Sequence, residues 1–148
     1  MDTKMKSYKY DFKCKKTTSF ESVNIKTSDD AYKYALQFWK SDINIYESCF
    51  IMLLDRAKNV IGWAKISQGG VATMIVDVRI ICKYAIETLS SSVILLHNHP
   101  SGSVEPSQQD KHLTQQIKDG LNVFGIPLDD HLVMSEEEYF SFYDKGLL

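Results

Sequence analysis

The chain has 148 residues, of which 44% are hydrophobic and 24% are charged, a composition typical of one compact globular domain. Its formal net charge of −2 lacks the strongly basic balance that is usual for nucleic-acid-binding domains. No apolar stretch approaches the ~20 residues that span a bilayer. The N-terminus also lacks the apolar segment of a signal peptide. We therefore expect neither membrane insertion nor secretion.

Charge is unevenly distributed, because residues 1–16 contain six lysines against two aspartates, a local balance of +4. Such an arm can contact phosphate or an acidic partner, although a solvated and frayed terminus is the simpler interpretation. The composition predicts a basic and partly disordered arm over residues 1–27, followed by a folded domain over residues 28–148.

Three cysteines, Cys14, Cys49 and Cys82, are far apart in the chain and form no Cys-x-x-Cys pair. This odd number and wide spacing argue against a disulfide framework and favour a reducing, cytoplasmic location. Cys49 and Cys82 stand in apolar runs, so we expect them to be buried thiols.

The first half of the chain predicts a short strand, a helix and a hairpin. Ser22–Ile25 favours the strand, and Ser28 before two aspartates is typical of a helix start, with Ser28 as the cap. Helical spacing of apolar residues continues to Trp39. Phe50–Leu54 and Val60–Ser67, separated by a polar turn, predict the hairpin.

Further strands and helices alternate in the second half. A buried strand covered on both faces is predicted at Val93–Leu96, because this run is entirely apolar. The other predicted elements are a strand at Val71–Val76, a helix at Arg79–Leu89, a helix from Pro106-Ser107 to Asp119 with Gly120 as its C-cap or continuing to Gly125, and strands at Ile126–Met134 and Tyr139–Phe142. This order predicts an α/β domain with a mixed sheet sandwiched between helices.

The segment from His97 to Asp110 contains the residues best suited to a metal site. His97 and His99 leave the end of the buried strand two residues apart, so both imidazoles point to one side. Ser107 and Asp110 begin the next helix, which can return the carboxylate to the two rings. Two histidines and one aspartate leave the fourth position of a zinc ion open, as in catalytic sites.

Each part of this segment has another interpretation. Two histidines near a strand end can be ordinary loop residues, and Pro-Ser-x-x-Asp is also a helix capping box, with Ser107 as the cap. The two roles of Asp110 are compatible, because a cap that fixes the helix start also fixes the ligand. The letters His-Asn-His do not indicate an HNH nuclease. A zinc deaminase is also excluded, because it needs His-x-Glu and a later Pro-Cys-x-x-Cys.

The pattern His-x-His-x7-Ser-x-x-Asp at positions 97, 99, 107 and 110 resembles the JAMM signature of JAB/MPN domains. The surrounding sequence resembles the bacterial RadC subfamily over residues 28–148, in the segments "ESCFIMLLDRAKNVIGWAKISQGG", "HNHPSGSVEPSQQD", "GIPLDDHLVMS" and "YFSFYDKGLL". This resemblance implies a single MPN/JAB-type domain with a cytidine-deaminase-like architecture.

The resemblance also implies residue roles. His97, His99 and Asp110 would hold one zinc ion, although manganese or iron stays open. Glu47, eight residues before Asp55, would be the general base, whereas its position before a strand alone suggests a solvated residue. Ser107 would donate toward the oxyanion. The implied activity is hydrolysis of a peptide or isopeptide bond in an unknown protein or peptide.

The chain departs from the pattern of full-length relatives, because 148 residues leave no room for their helix-hairpin-helix segment or for ubiquitin-gripping insertions. Two alternatives to hydrolysis stay open: a role associated with DNA repair, which the charge does not support, and a non-catalytic module stabilised by metal.

Asn98 is expected to help orient the ligands. Further polar candidates near strand ends are Asp77, Asp129, Asp130 and His131, of which His131 is expected beside a ligand rather than on the metal.

Overall fold

The computed structural model describes residues 5–10, 14–69 and 75–148. Its elements are α1 (Ser28–Trp39), β1 (Ser48–Leu54), β2 (Val60–Gln68), α2 (Val78–Glu87), β3 (Ser92–Asn98), α3 (Gln108–Asn122), β4 (Leu128–Met134) and β5 (Tyr139–Ser141). No helix in these ranges combines the length and the apolar character needed to cross a membrane.

The five strands form one mixed sheet in the order β2-β1-β3-β4-β5. β1 is antiparallel to both β2 and β3, and β4 is antiparallel to β5. β3 and β4 are parallel, and α3 supplies the crossover that two parallel strands require. The predicted hairpin of β1 and β2 and the predicted mixed sheet are both confirmed.

Helices cover both faces of the sheet, as predicted. Side chains alternate along the central strands, so Phe50 and Leu96 pack with α1 while Ile51 and Leu95 pack with α2 and α3. β1 and β3 are buried along their whole lengths. This alternation decides where the end of β3 directs its polar side chains: residue 97 faces α3, and residue 98 faces α1.

Thr27, rather than the predicted Ser28, caps the first helix. The Thr27 side chain accepts from the backbone N–H of Asp30 at 3.2 Å, and the Asp30 carboxylate accepts from the backbone N–H of Thr27 at 2.9 Å. This reciprocal capping box satisfies two N–H groups that the first turn leaves without helical partners. Ser28 is instead the first helical residue.

Gly120 lies inside α3, so of the two predicted ends of this helix the one at Gly120 is wrong. The helix continues to Asn122, and the left-handed backbone position is Gly125, with φ of +69°. A Cβ atom on Gly120 would lie 3.0 Å from Val78 Cγ1 of α2. The glycine therefore permits the close approach of α2 and α3.

The N-terminal segment forms less regular structure than predicted. Instead of a strand over residues 22–25, it makes one isolated bridge between Asn24 and Asn59. Ile25 is buried nonetheless, so these residues pack on the domain. The division into an arm of residues 1–27 and a domain of residues 28–148 stays a prediction.

Two further sequence-based predictions concern the cysteines and the segment after β2. Cys49 and Cys82 are buried, as expected, and burial raises the pKa of both thiols. The predicted strand Val71–Val76 falls largely on residues 71–74, outside the described residues. Ile75 and Val76 are described and belong to neither a helix nor a strand.

Candidate metal centre

His97 and His99 bring their imidazoles together at the end of β3. Their Nε2 atoms are 3.0 Å apart. The backbone N–H of His99 donates to the carbonyl of Met134 at 3.1 Å, which holds the residue beside β4 just beyond the strand. His97 is 1% exposed, whereas His99 is partly open to solvent. The two-residue spacing therefore places both rings on one side, as the sequence predicts.

Asp110 reaches the two rings from the first turn of α3. Its Oδ1 lies 3.2 Å from His97 Nε2, and its Oδ2 lies 3.2 Å from His99 Nε2. The capping box fixes this carboxylate, because Oδ2 accepts from the Ser107 N–H at 2.8 Å and Ser107 Oγ accepts from the Asp110 N–H at 3.0 Å. One motif therefore starts the helix and also holds the carboxylate against the imidazoles.

Glu47 approaches the same point from the residue before β1. One carboxylate oxygen of Glu47 and one nitrogen each of His97 and His99 lie within 4.8 Å of one another. Antiparallel pairing explains this position, because Cys49 pairs with His97 and the same register, continued by two residues, brings Glu47 opposite His99. Glu47 is half-buried, whereas Asp110 is only 8% exposed. Two carboxylates with different solvent access therefore face one pair of imidazoles.

The site opens into a cleft of about 640 Å³. Glu47, Ser107 and Asp110 line this cleft, and other lining residues are Ile75, Val76, Leu113 and Gln116. Its walls thus combine apolar and amide side chains beside the two carboxylates, which leaves room for an extended ligand.

Electrostatics keep the Asp110 carboxylate ionised. Burial alone raises its pKa, but hydrogen bonds from His97 and His99 in their protonated forms, together with the positive charge of protonated His97, outweigh burial and hold the pKa well below its usual range. The hydrogen bond to Asp110 raises the pKa of His99 against the opposing effect of burial. The cluster therefore concentrates negative charge where the two rings meet.

The donor set fits a small divalent cation such as zinc. Zinc bonds of about 2.0–2.1 Å at a tetrahedral angle place two donor atoms about 3.3 Å apart. The nitrogen–nitrogen separation of 3.0 Å lies close to that value, and each oxygen of the Asp110 carboxylate lies 3.2 Å from one of the two nitrogens. His99 also has the correct tautomer, because its Nδ1 lies 2.8 Å from the Ser103 carbonyl oxygen and must donate to it. In the neutral ring, Nε2 then carries a free lone pair.

His131 lies behind His97, as the sequence predicts, and not among the converging donor atoms. Its Nε2 is 2.6 Å from His97 Nδ1, and its Nδ1 is 2.6 Å from the Thr114 hydroxyl. Full burial lowers the pKa of His131 well below its usual range, so the ring is neutral. Thr114 was not foreseen, because a threonine inside a helix gives no signal of its own without the position of β4.

Asn98 contacts neither imidazole, so the expectation that it orients the ligands directly is wrong. Its side chain faces α1, on the opposite side of the sheet from His97, where it accepts from Trp39 Nε1 at 2.8 Å. The cause is the strand alternation: residues 97 and 98 point to different faces.

The three other polar candidates have structural partners away from the site. Asp77 caps α2, and Asp129 pairs with Lys58 at 2.6 Å. Asp130 is buried and accepts from the Ser141 hydroxyl at 2.6 Å. The sequence could not separate these acids from Asp110, because all of them stand near element ends.

Taken together, a mixed sheet between helices and a cluster of two histidines with two carboxylates define an α/β domain with a candidate metal site. A family model described as RadC-like JAB domain matches residues 25–147. The chain belongs to this family.

Curated relatives carry the name UPF0758 protein, which states no activity. One from Porphyromonas gingivalis is 43% identical over 103 residues, which are 69% of this chain and 45% of the relative. One from Flavobacterium johnsoniae is 40% identical over 102 residues, or 69% of this chain and 44% of the relative. One from Fusobacterium nucleatum is 34% identical over 141 residues, or 95% of this chain and 60% of the relative. The chain spans about half the length of these relatives.

Proposed function

We propose that the protein is a zinc-dependent hydrolase that cleaves an amide bond in a peptide or isopeptide substrate. The observation that supports this most is the convergence of His97, His99 and Asp110 with a second carboxylate, that of Glu47, beside a cleft that both carboxylates line. A purely structural zinc site is closed by four protein ligands and needs no additional acid.

In this proposal His97, His99 and Asp110 are the ligands, and Glu47 is the base. Asp110 suits a ligand because it is buried and touches both Nε2 atoms at 3.2 Å. Glu47 suits a base because it is half-exposed and lines the cleft. Imidazole and carboxylate together form a donor set that zinc accepts readily.

A zinc ion bound there would polarise a carbonyl group and lower the pKa of water toward about 7. The Glu47 carboxylate would accept a proton from the attacking water and then deliver it to the leaving nitrogen, as a general acid–base must. Its half-buried position beside the imidazoles keeps the carboxylate within reach for both proton transfers.

Ser107 would stabilise the negative charge that develops on the carbonyl oxygen. Its Oγ accepts from the Asp110 N–H, so the hydroxyl hydrogen is still available for donation, and the side chain is exposed in the cleft. Loss of one such donor typically costs about 3–4 kcal/mol in the barrier.

The proposed substrate is a protein or peptide, because a cleft of about 640 Å³ lined by apolar and amide side chains suits an extended chain. We also propose a cytoplasmic location, which the three free cysteines support.

The decisive experiment compares metal content and turnover in matched variants of the purified chain. We expect the parent protein to bind one zinc ion, Glu47→Gln to retain it, and Asp110→Asn to bind it much more weakly. Newly formed protein N-termini would be identified by mass spectrometry after a proteome is treated with parent protein or with Glu47→Gln. The control Glu105→Gln makes the same chemical change at an exposed position two residues before Ser107.

Two results would contradict the proposal in different ways. If Glu47→Gln loses zinc as Asp110→Asn does, Glu47 is a ligand and not the base. If the parent binds zinc and gains stability but generates no new termini beyond those of Glu47→Gln, the protein is a metal-stabilised interaction module.

A further inference from the structure

Three hydrogen bonds in series lead from His97 into the interior, away from the cleft. His97 Nδ1 lies 2.6 Å from His131 Nε2, and His131 Nδ1 lies 2.6 Å from Thr114 Oγ1. Thr114 Oγ1 lies 2.6 Å from the backbone carbonyl of Asp110. The three side chains are 1%, 0% and 3% exposed, so the series lies in the protein interior.

The positions of the hydrogens in this series follow from counting donors. Each contact needs one hydrogen, and the Asp110 carbonyl has none, so the Thr114 hydroxyl donates to it. Thr114 can then only accept from His131, which donates from Nδ1 and accepts at Nε2. His97 therefore donates from Nδ1, and its neutral ring has no hydrogen on Nε2.

We propose that Thr114 and His131 are positioning residues that fix His97 in the tautomer whose Nε2 lone pair faces the metal site. This inference rests on the proposed metal site but not on the bond that is cleaved. The series ends on the backbone of Asp110, so a buried path joins two of the proposed ligands. Phe142 stacks on His131 with ring centroids 4.6 Å apart and so fixes the plane of the His131 ring, which lies between His97 and Thr114 in the series.

The opposite arrangement shows why the Thr114 hydroxyl matters. If His131 donated from Nε2, then His97 would accept at Nδ1 and carry its hydrogen on Nε2, where it blocks metal binding. In that arrangement His131 Nδ1 carries no hydrogen. When the Thr114 hydroxyl donates to it, no hydrogen lies between Thr114 Oγ1 and the Asp110 carbonyl oxygen, which are 2.6 Å apart. Thr114→Val removes this restriction, because His131 Nδ1 then has no oxygen to which it can donate.

The test measures the tautomer and the zinc affinity separately. In metal-free protein labelled with ¹⁵N-histidine, long-range ¹H–¹⁵N NMR identifies the nitrogen that carries the hydrogen. We expect Nδ1–H for His97 in the parent and in Thr114→Ser, and Nε2–H in Thr114→Val. Zinc competition with a colorimetric chelator should show binding about 10–100-fold weaker in Thr114→Val, the usual effect of removing such a partner. Thr114→Ser keeps the hydroxyl and should restore the affinity.

Thr88→Val is the matched control, because the Thr88 hydroxyl also donates to a carbonyl four residues earlier, that of Tyr84 at 2.7 Å. This variant should lose some thermal stability but keep the zinc affinity of the parent. Parent-like affinity in Thr114→Val would overturn the inference. If Thr114→Val does not fold, the metal-free parent decides, since a His97 ring that carries hydrogen on Nε2 and none on Nδ1 overturns the inference. A parent with His97 Nδ1–H that binds no zinc would refute the proposed function and leave the hydrogen-bond series supported.

Discussion

The side-chain Oδ1 of Asn98 accepts a hydrogen bond from the backbone N–H of Ser48 at 2.8 Å. The same oxygen accepts from Trp39 Nε1 at 2.8 Å, and Nδ2 donates to the carbonyls of Ile43 and Tyr46 at 2.6 and 2.7 Å. Asn98 is 0% exposed, and this one buried amide satisfies four backbone and side-chain groups. From the α1 face, it fixes the segment that leads into β1.

Replacing Asn98 with alanine should therefore destabilise the fold strongly. The change leaves the N–H groups of Trp39 and Ser48 buried without their partner, at about 1–3 kcal/mol for each such group. We expect the free energy of unfolding, measured in urea, to fall by about 3 kcal/mol or more. Asn44→Ala is the control, because Asn44 is exposed and makes one side-chain bond, to Glu136. A similar loss in both variants would contradict the role given to Asn98.

The same variant separates two roles for Asn98. It contacts the segment that carries Glu47 but neither imidazole, so we expect zinc binding to survive at temperatures where the variant is folded, while turnover falls. A variant with parent-like stability that no longer binds zinc would instead support a direct effect on the histidines.

The N-terminus of α1 provides a second comparison between neighbouring residues. Thr27→Ala removes the capping side chain and should cost about 1 kcal/mol in the free energy of unfolding. Ser28→Ala removes hydroxyl contacts with Tyr139 and Asp144 but no capping bond, and should change stability by about 0.5 kcal/mol or less. Urea denaturation of both variants, with Thr27→Ser as the conservative control, measures the difference. A larger loss for Ser28→Ala would restore Ser28 as the cap.

These cases show which features of the fold the sequence could predict. Strands and helices followed from periodicity, which depends only on neighbouring residues. The cap was misplaced by one residue, because Thr27 and Ser28 both precede aspartates and either residue type can cap a helix. The interpretation of Gly120 as a C-cap was wrong, because a glycine is needed there for a tertiary contact: it makes room for Val78 of another helix.

In the candidate site too, some residues could be placed from local sequence and others only from tertiary contacts. The convergence of His97, His99 and Asp110 follows from local geometry, since a strand end and a helix start are close in the chain. The position of Glu47 in the site depends on the pairing of β1 with β3. Glu47 was identified from family resemblance rather than from the residues around it in the sequence. The contacts of Thr114 depend on β4, which lies beyond the end of α3, so sequence patterns could not reveal them.

Zinc should raise the melting temperature of the protein, because a ligand that binds only the folded state stabilises it. At about 100 times the dissociation constant the gain is about 2.7 kcal/mol, and in a domain of this size each kcal/mol shifts the melting temperature by about 2–4 °C. His99→Ala should abolish this shift, while His112→Ala, an exposed histidine that lines the cleft, should retain it. Differential scanning fluorimetry with and without a chelator measures it. Loss of the shift in both variants, or in neither, would contradict the ligand assignment.

Asp130 should make the protein less stable as the pH rises. Burial raises its pKa, against the lowering effect of hydrogen bonds from Ser141, Tyr143 and His131. Below the unfolded-state pKa, near 3.9, the carboxyl is neutral in both states and its burial is least costly. As the pH rises from that value toward the raised folded-state pKa, the carboxyl ionises in the unfolded state before it does so in the folded state. The contribution of Asp130 to stability is lost over this interval.

Subtracting the unfolding free energy of Asp130→Asn from that of the parent, in urea and chelator at a series of pH values, removes the effects of the other carboxyls. We expect this difference to fall with rising pH and then to level off above the folded-state pKa of Asp130. A difference that rises with pH would show that the hydrogen bonds from Ser141 and Tyr143 outweigh burial, and that Asp130 is held as a stabilising anion.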